Sequence, residues 1–211
     1  MKKKLLINYW NSYYNNNIKF KESSFARFVK KKINKVKKNA KLIDIGCGNG
    51  RDSFFFSKNG LKVTAIDISN KAITNNSLQQ DPNLKFIRLD VARNIMSGKF
   101  DLIYCRFFLH AINDEAENKL VLLLKKIKKK NTLAFFEFRN HKDKIFKKKG
   151  RKHNDIIEFE KGHFRRVINP NEFIKKIKNK IKCKVVYKRS SKNLSIVKKD
   201  NPNLSRVIFK F

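Results

Sequence analysis

The chain has 211 residues, 41% of them hydrophobic, enough to bury the core of one α/β domain of ordinary size, and no Pro-, Gly- or Ser-rich linker divides it. The formal net charge is +35, and the three cysteines, Cys47, Cys105 and Cys183, form an odd set without paired spacing, so neither a disulfide framework nor a zinc site is indicated. Met1 to Asn8 carries only three apolar residues after its charges, too few for a signal-peptide core or a membrane span, and a soluble cytoplasmic protein is expected.

In chain order, Ser24 stands where it can cap a helix whose Phe25, Phe28, Val29, Ile33 and Val36 share one face. Leu42-Ile-Asp-Ile45 is an apolar strand run that passes into Gly46-Cys47-Gly48-Asn49-Gly50, and the helix after Gly50 ends at Gly60. Lys62–Ser69 and Leu84–Asp90 read as the next two strands, each carrying an acid near its carboxyl end, Asp67 and Asp90. Phe100–Cys105 is the fourth strand, and Asn113 caps a helix with Asp114 and Glu115 in its first turn. Thr132–Phe138 is the fifth, preceded by Lys128-Lys129-Lys130-Asn131. Asn169-Pro170-Asn171-Glu172 starts another helix, with Pro at the first position and Glu placed to complete a capping box. Lys184–Lys188 and Ser205–Phe211 are the last strand-like runs. This alternation predicts an α/β fold with a doubly wound, mostly parallel sheet.

Three glycines without a Cβ let the chain turn sharply off a strand and bring bare backbone N–H groups against a ligand. The dinucleotide fingerprint needs its third glycine where Arg51 stands, so a nicotinamide cofactor is disfavoured. Asp67, at the end of the neighbouring strand, faces the glycine loop across the crevice, where a carboxylate can accept both hydroxyls of a ribose. Each acid has a plainer reading, since Asp after a strand is a common turn or cap residue.

Asp44-x-Gly46-x-Gly48-x-Gly50, followed by Asp67 and Asp90, resembles the motifs of class I S-adenosylmethionine (SAM) dependent methyltransferases. The resemblance covers roughly residues 40–140. It implies SAM as cofactor, a seven-stranded Rossmann-like sheet closed by an antiparallel pair, and Asp90 beside the adenine amino group. The cofactor set is then Asp44, Gly46, Cys47, Gly48, Asn49, Gly50, Asp67, Ile68, Asp90 and Val91. A single domain follows, with 1–39 as a helical lid, 40–140 as the SAM-binding core and 141–211 as acceptor-side insert and closing strands. Tyr9-Trp10-Asn-Ser-Tyr13-Tyr14, Ser24-Phe25-Ala26, His163-Phe164-Arg165-Arg166 and Asn201-Pro202-Asn203-Leu204-Ser205-Arg206 look like small methyltransferases of bacterial surface-polysaccharide synthesis, including those that cap O-antigen chains on a terminal phosphate.

The acceptor decides what else is needed. A hydroxyl must lose a proton, and His110, just past the fourth strand, is placed to accept it, although a core histidine bonded to backbone is the plainer reading. A phosphate or carboxylate arrives ionised and needs cations, which Arg139, His163, Arg165 and Arg166 could supply, with Tyr13 and Arg106 on the same side. Cys105 sits where cytosine C5 enzymes place a nucleophile but lacks their adjacent proline, and no His, Cys, Asp and Glu show metal-ligand spacing. The expected function is methyl transfer to an oxygen of a small or glycan-linked acceptor, such as a phosphorylated sugar. An RNA methyltransferase and a non-catalytic SAM-fold module that binds polyanions or a partner stay open. So does the charge, whose lysine runs at 2–4, 30–32, 128–130 and 147–149 fit either compositional drift or a polyanion partner.

Overall fold

The computed structural model describes residues 3–15, 21–34, 36–94, 96–147, 150–160, 162–196 and 200–211. Lys2, Lys148 and Lys149 of the lysine runs lie outside them. The main sheet holds β1 (Lys41–Ile45), β2 (Lys62–Asp67), β3 (Leu84–Arg88), β4 (Phe100–Arg106), β5 (Lys128–Arg139), β9 (Lys184–Ser191) and β10 (Leu204–Lys210), in the order β3-β2-β1-β4-β5-β10-β9. β1 to β5 run parallel, and β10 lies antiparallel between β5 and β9. This is a doubly wound, mostly parallel α/β sheet closed by an antiparallel pair, as the sequence predicts.

Both faces of the sheet are buried, which the alternation along its central strands records. Ile43, Ile103, Phe136 and Phe209 turn to one face, under α5 (Asp114–Ile127) and α6 (Pro170–Lys180). Their neighbours Leu42, Leu102, Phe135 and Ile208 turn to the other, under α2 (Ser24–Lys32) and α3 (Arg51–Lys58). α4 (Asn70–Ser77) packs on β2 and β3, and α1 (Lys3–Tyr13) lies outside the sheet with no side chain buried.

Several boundaries differ from the sequence reading. The cap of α2 is Ser23, whose Oγ accepts the Ala26 N–H at 3.0 Å; Ser24 is the first helical residue, its hydroxyl directed to Leu194 O and Ser195. Val36 falls beyond that helix. β5 begins at Lys128 rather than Thr132, because Phe100 pairs with Lys128 and an irregularity at Asn131, with φ of 68°, absorbs the shift before Leu102 meets Leu133. Glu172 meets the Asn169 side-chain amide at 3.4 Å, while the cap itself is Asn169 Oδ1 accepting the Asn171 N–H. Asn113 caps α5 as expected, accepting the Ala116 N–H at 3.0 Å. Between β5 and α6 the chain adds an antiparallel sheet of β6 (Arg151–His153), β7 (Ile156–Glu160) and β8 (His163–Arg166), for which no strand was read from the sequence.

Candidate active site

The glycine loop leaves β1 at the carboxyl edge of the parallel strands. Gly46, Gly48 and Gly50 have φ of 75°, 53° and 70°, the left-handed region where a side chain is strained. A Cβ on Gly46 would lie 2.5 Å from the Phe108 ring, and one on Gly48 would strike the Tyr14 hydroxyl. Asp67 fixes this loop from β2: Oδ2 accepts the Gly48 N–H at 2.9 Å and Oδ1 the Ser69 N–H at 2.8 Å. Burial raises its carboxyl above the ordinary value, and these backbone donors oppose the rise. Asn76 of α4 donates to Gly48 O at 2.8 Å. Asp44 lies below the loop, accepting the Ser53 hydroxyl at 2.6 Å, and burial pushes its carboxyl up to about 8.

Beside the loop is a cavity of about 280 Å³. Gly46, Asp67, Ile68, Asp90 and Val91 of the expected cofactor set line it, with Leu89, Phe107, Phe108 and Ile112 adding apolar wall. Asp44, Cys47, Gly48, Asn49 and Gly50 stand behind that lining, in β1 and the loop. One face of α1 and the residue just past it close the cavity: Lys3, Leu6, Trp10 and Tyr14 recur at helical spacing. Polar contacts hold this helix. Lys3 Nζ reaches Asp90 Oδ2 at 2.6 Å, Asn11 accepts the Ser69 hydroxyl at 2.9 Å, and Asn75 donates to Tyr14 O at 2.9 Å. Of these, Lys3, Leu6, Phe107 and Asn76 were not expected in the site from the sequence, and Trp10 and Tyr14 were named only within the Tyr9–Tyr14 motif; the i, i+3, i+7, i+11 spacing of Lys3, Leu6, Trp10 and Tyr14 was the available signal.

The expected acceptor cations do not form one cluster. Alternation along β8 buries Phe164 and Arg166 and turns His163 and Arg165 toward α1. Arg166 is buried with Glu117, its guanidinium also donating to Ile112 O at 3.1 Å. Arg139 pairs with Asp143 at 2.8 Å and with Asp200, and Arg106 pairs with the buried Glu137 at 2.9 Å. His163 stacks on Tyr9 with ring centroids 4.5 Å apart. Arg165 lies over the Trp10 ring at 5.6 Å, its Nη1 donates to Phe164 O at 2.8 Å, and its buried Nε has no hydrogen-bond partner among the described residues. It has no carboxylate partner there. Tyr13 projects from α1 into solvent, 63% exposed.

His110 lies in a short 3-10 turn, Leu109–Ala111, buried beneath the cavity wall. Its Nδ1 accepts the Arg139 N–H at 3.2 Å, which places the ring proton of the neutral imidazole on Nε2. Burial, with Arg165, Arg139 and Arg106 nearby, holds it well below the usual histidine range. Cys105 is buried in the main core and its thiol is pushed up by burial.

Asp67 lines the cavity and is held by backbone N–H donors, and a carboxylate there suits a ligand that presents hydroxyls. Residues 43–133 match the methyltransferase domain family. That stretch holds the glycine loop, Asp67 and Asp90, and is similar to SAM-dependent methyltransferase domains. A ubiquinone biosynthesis O-methyltransferase of Albidiferax ferrireducens is 29% identical over 111 residues, 50% of this chain and 43% of that protein. The matched stretches cover 42% and 43% of the curated relatives' own lengths. A SAM-dependent methyltransferase of Methanosarcina mazei superimposes with a TM-score of 0.66 at 16% identity, covering 84% of this chain and 94% of that one. The glycopeptide N-methyltransferase MtfA, solved with S-adenosylhomocysteine, gives 0.69 at 12% identity, covering 91% and 90%. These structural likenesses establish the fold. No helix among the described residues is long and apolar enough to cross a membrane.

Proposed function

We propose that the protein transfers a methyl group from SAM to an oxygen of a small or glycan-linked acceptor, with a phosphorylated sugar as the specific candidate. The observation that carries the cofactor half is Asp67, a cavity-lining carboxylate that ties down the glycine loop and suits ribose hydroxyls. In this reading Asp90 receives the adenine amino group, Ile68 and Val91 flank the ring, and Gly46 to Gly50 admit the methionyl portion. Bound there, SAM supplies a methyl carbon already activated for in-line displacement.

The chain's own work is then alignment and exclusion of water. α1 covers the cavity as the lid of residues 1–39, and 141–211 furnish the acceptor side through β8. Arg165 supports an anionic acceptor, because among Arg106, Arg139, Arg165 and Arg166 it is the one without a carboxylate partner among the described residues. His110 points the same way: with Nδ1 engaged and the proton on Nε2, the ring serves as a donor, which suits an oxygen that arrives ionised better than a hydroxyl awaiting a base.

The test is a methyl-transfer assay with a phosphorylated sugar, its dephosphorylated form and bulk RNA. An ionised acceptor predicts turnover of the phosphorylated sugar far above that of its dephosphorylated form and little loss in His110→Ala. A rate loss of about 10²- to 10⁴-fold in that variant, with the dephosphorylated sugar as substrate, would restore His110 as the base. Methylation of RNA alone would overturn the acceptor reading and leave the cofactor reading standing.

A further inference from the structure

The end of the sheet opposite the cavity carries a different chemistry. Parallel strands begin there and helices end there, and lysine occupies nearly every such position. Lys41 and Lys62 open β1 and β2 and are register partners, with Lys85 in the second position of β3 and Lys99 just before β4. These four, all exposed, ring a second cavity of about 320 Å³. Like charges on paired strands repel, and Lys41, Lys62 and Lys85 have no carboxylate partner among the described residues. Lysines continue outward on both sides, at the end of α2 in one direction and at the ends of α5 and α6 and the starts of β5 and β9 in the other.

The acids are sorted the opposite way. Asp44, Asp67, Asp90 and Glu137 lie at or near the carboxyl ends of their strands, and Asp114 and Glu117 in the first turn of α5. Among the described residues the lysine-rich end holds Asp81 and Asp101, both engaged: Asp81 accepts the Ser57 hydroxyl at 2.8 Å, and Asp101 pairs with Lys129 at 2.6 Å. Exposed lysines such as Lys71, Lys142 and Lys192 also stand at the cavity end, but compositional drift toward lysine would not gather the acids there and leave the lysines at the strand starts unpaired. The helix dipole favours cations at helix ends, but it has no counterpart at the strand starts where Lys41, Lys62, Lys85 and Lys128 stand.

We infer that this end of the sheet is a docking face for the phosphate backbone of a nucleic acid. Its breadth, spanning the bases of all the parallel strands, suits a polymeric anion rather than one small phosphate. The strongly exposed aromatic side chain among the described residues, Tyr13, lies at the other end, so the face offers charge without base-stacking platforms. Leu78 at the end of α4 and Val186 near the start of β9 are isolated apolar residues rather than the continuous apolar face a bilayer needs. β2 separates the two ends by roughly 16 Å at about 3.3 Å per residue. A strand held at the base therefore does not present its bases to the cavity, and docking is separate from methyl transfer.

The experiment is fluorescence anisotropy with a labelled single-stranded oligouridylate across a salt series. The triple variant Lys41→Gln/Lys62→Gln/Lys85→Gln is compared with Lys71→Gln/Lys142→Gln/Lys192→Gln, which removes equal charge from exposed positions at the cavity end. The expected result is a loss of about tenfold or more in affinity near physiological salt for the first variant only. Its salt slope should fall by about 2, from roughly 0.7 per lost phosphate contact. Its melting temperature should hold or rise, since like-charge repulsion is relieved. Equal losses in both variants would overturn the inference, as would absence of RNA binding at physiological salt. Binding to phosphatidylserine vesicles without binding to RNA would also overturn it and assign the face to a membrane surface.

Discussion

The two ends of one sheet differ in how they treat charge. At the carboxyl end, several acids are buried or half-buried and satisfied by backbone donors or by cations: Asp67 by Gly48 and Ser69, Glu137 by Arg106 and Arg206, Glu117 by Arg166. At the amino end, lysines are exposed and mostly without carboxylates. The first arrangement costs desolvation and fixes geometry, as a site for one defined ligand requires. The second costs little and fixes nothing, which suits a surface read by net charge alone.

The largest effect that separates the two ends is expected in the glycine loop. Gly48→Val should abolish stabilisation by S-adenosylhomocysteine in a thermal-shift assay, a loss of affinity above about 100-fold, because a β-branched residue resists a φ of 53° and collides with Tyr14. RNA binding at the lysine-rich end should be unchanged in the same protein. An undiminished shift would mean that the cofactor does not approach this loop.

A pH titration sharpens the cost of buried acids. Asp44, with its carboxyl raised from 3.8 to about 8, binds its proton more tightly folded than unfolded. Its contribution to stability is therefore full below about pH 4 and is lost as pH rises to about 8. Asp44→Asn lacks this loss, so its stability relative to wild type should improve across that window by on the order of a few kcal/mol and level off above it. Chemical denaturation at pH 5, 7 and 9 measures it; a pH-independent difference would place Asp44 outside a desolvated site.

A smaller effect is expected on the acceptor side. Arg165→Ala should raise KM for a phosphorylated sugar about tenfold, the scale of one charge-assisted hydrogen bond, and leave SAM affinity and the dephosphorylated sugar unaffected. Arg165→Lys should recover part of the loss. An equal effect on both sugars would reduce Arg165 to a packing residue beneath Trp10.

Much of the parallel core was legible because each of its elements has a local cause. The run from Leu42 to Gly50, the strand-end acids Asp67 and Asp90, and the Asn113 cap all depend on neighbours in sequence. The acceptor side was less legible because pairing there is distant. Nothing local shows that Arg166 is taken by Glu117 or Arg139 by Asp143 and Asp200, nor that alternation along β8 separates Arg165 from Arg166. The contribution of α1 to the cavity was half visible: its face is written in the spacing of Leu6, Trp10 and Tyr14, but which surface it covers is decided by Lys3, Asn11 and Asn75 contacts across the fold. The lysine sorting was invisible along the chain, since it emerges only when strand starts and helix ends are gathered at one pole.

The central claim is that the cavity beside Asp67 holds SAM by its ribose hydroxyls. Isothermal calorimetry with S-adenosylhomocysteine, on wild type and Asp67→Ala, tests it most directly, with NADH as a parallel ligand. The expected result is saturable one-site binding of S-adenosylhomocysteine to wild type, a loss of about 1.5–3 kcal/mol in the variant with its fold retained, and no NADH binding. Equal affinity of the two proteins for S-adenosylhomocysteine, or binding of NADH in its place, would contradict the account.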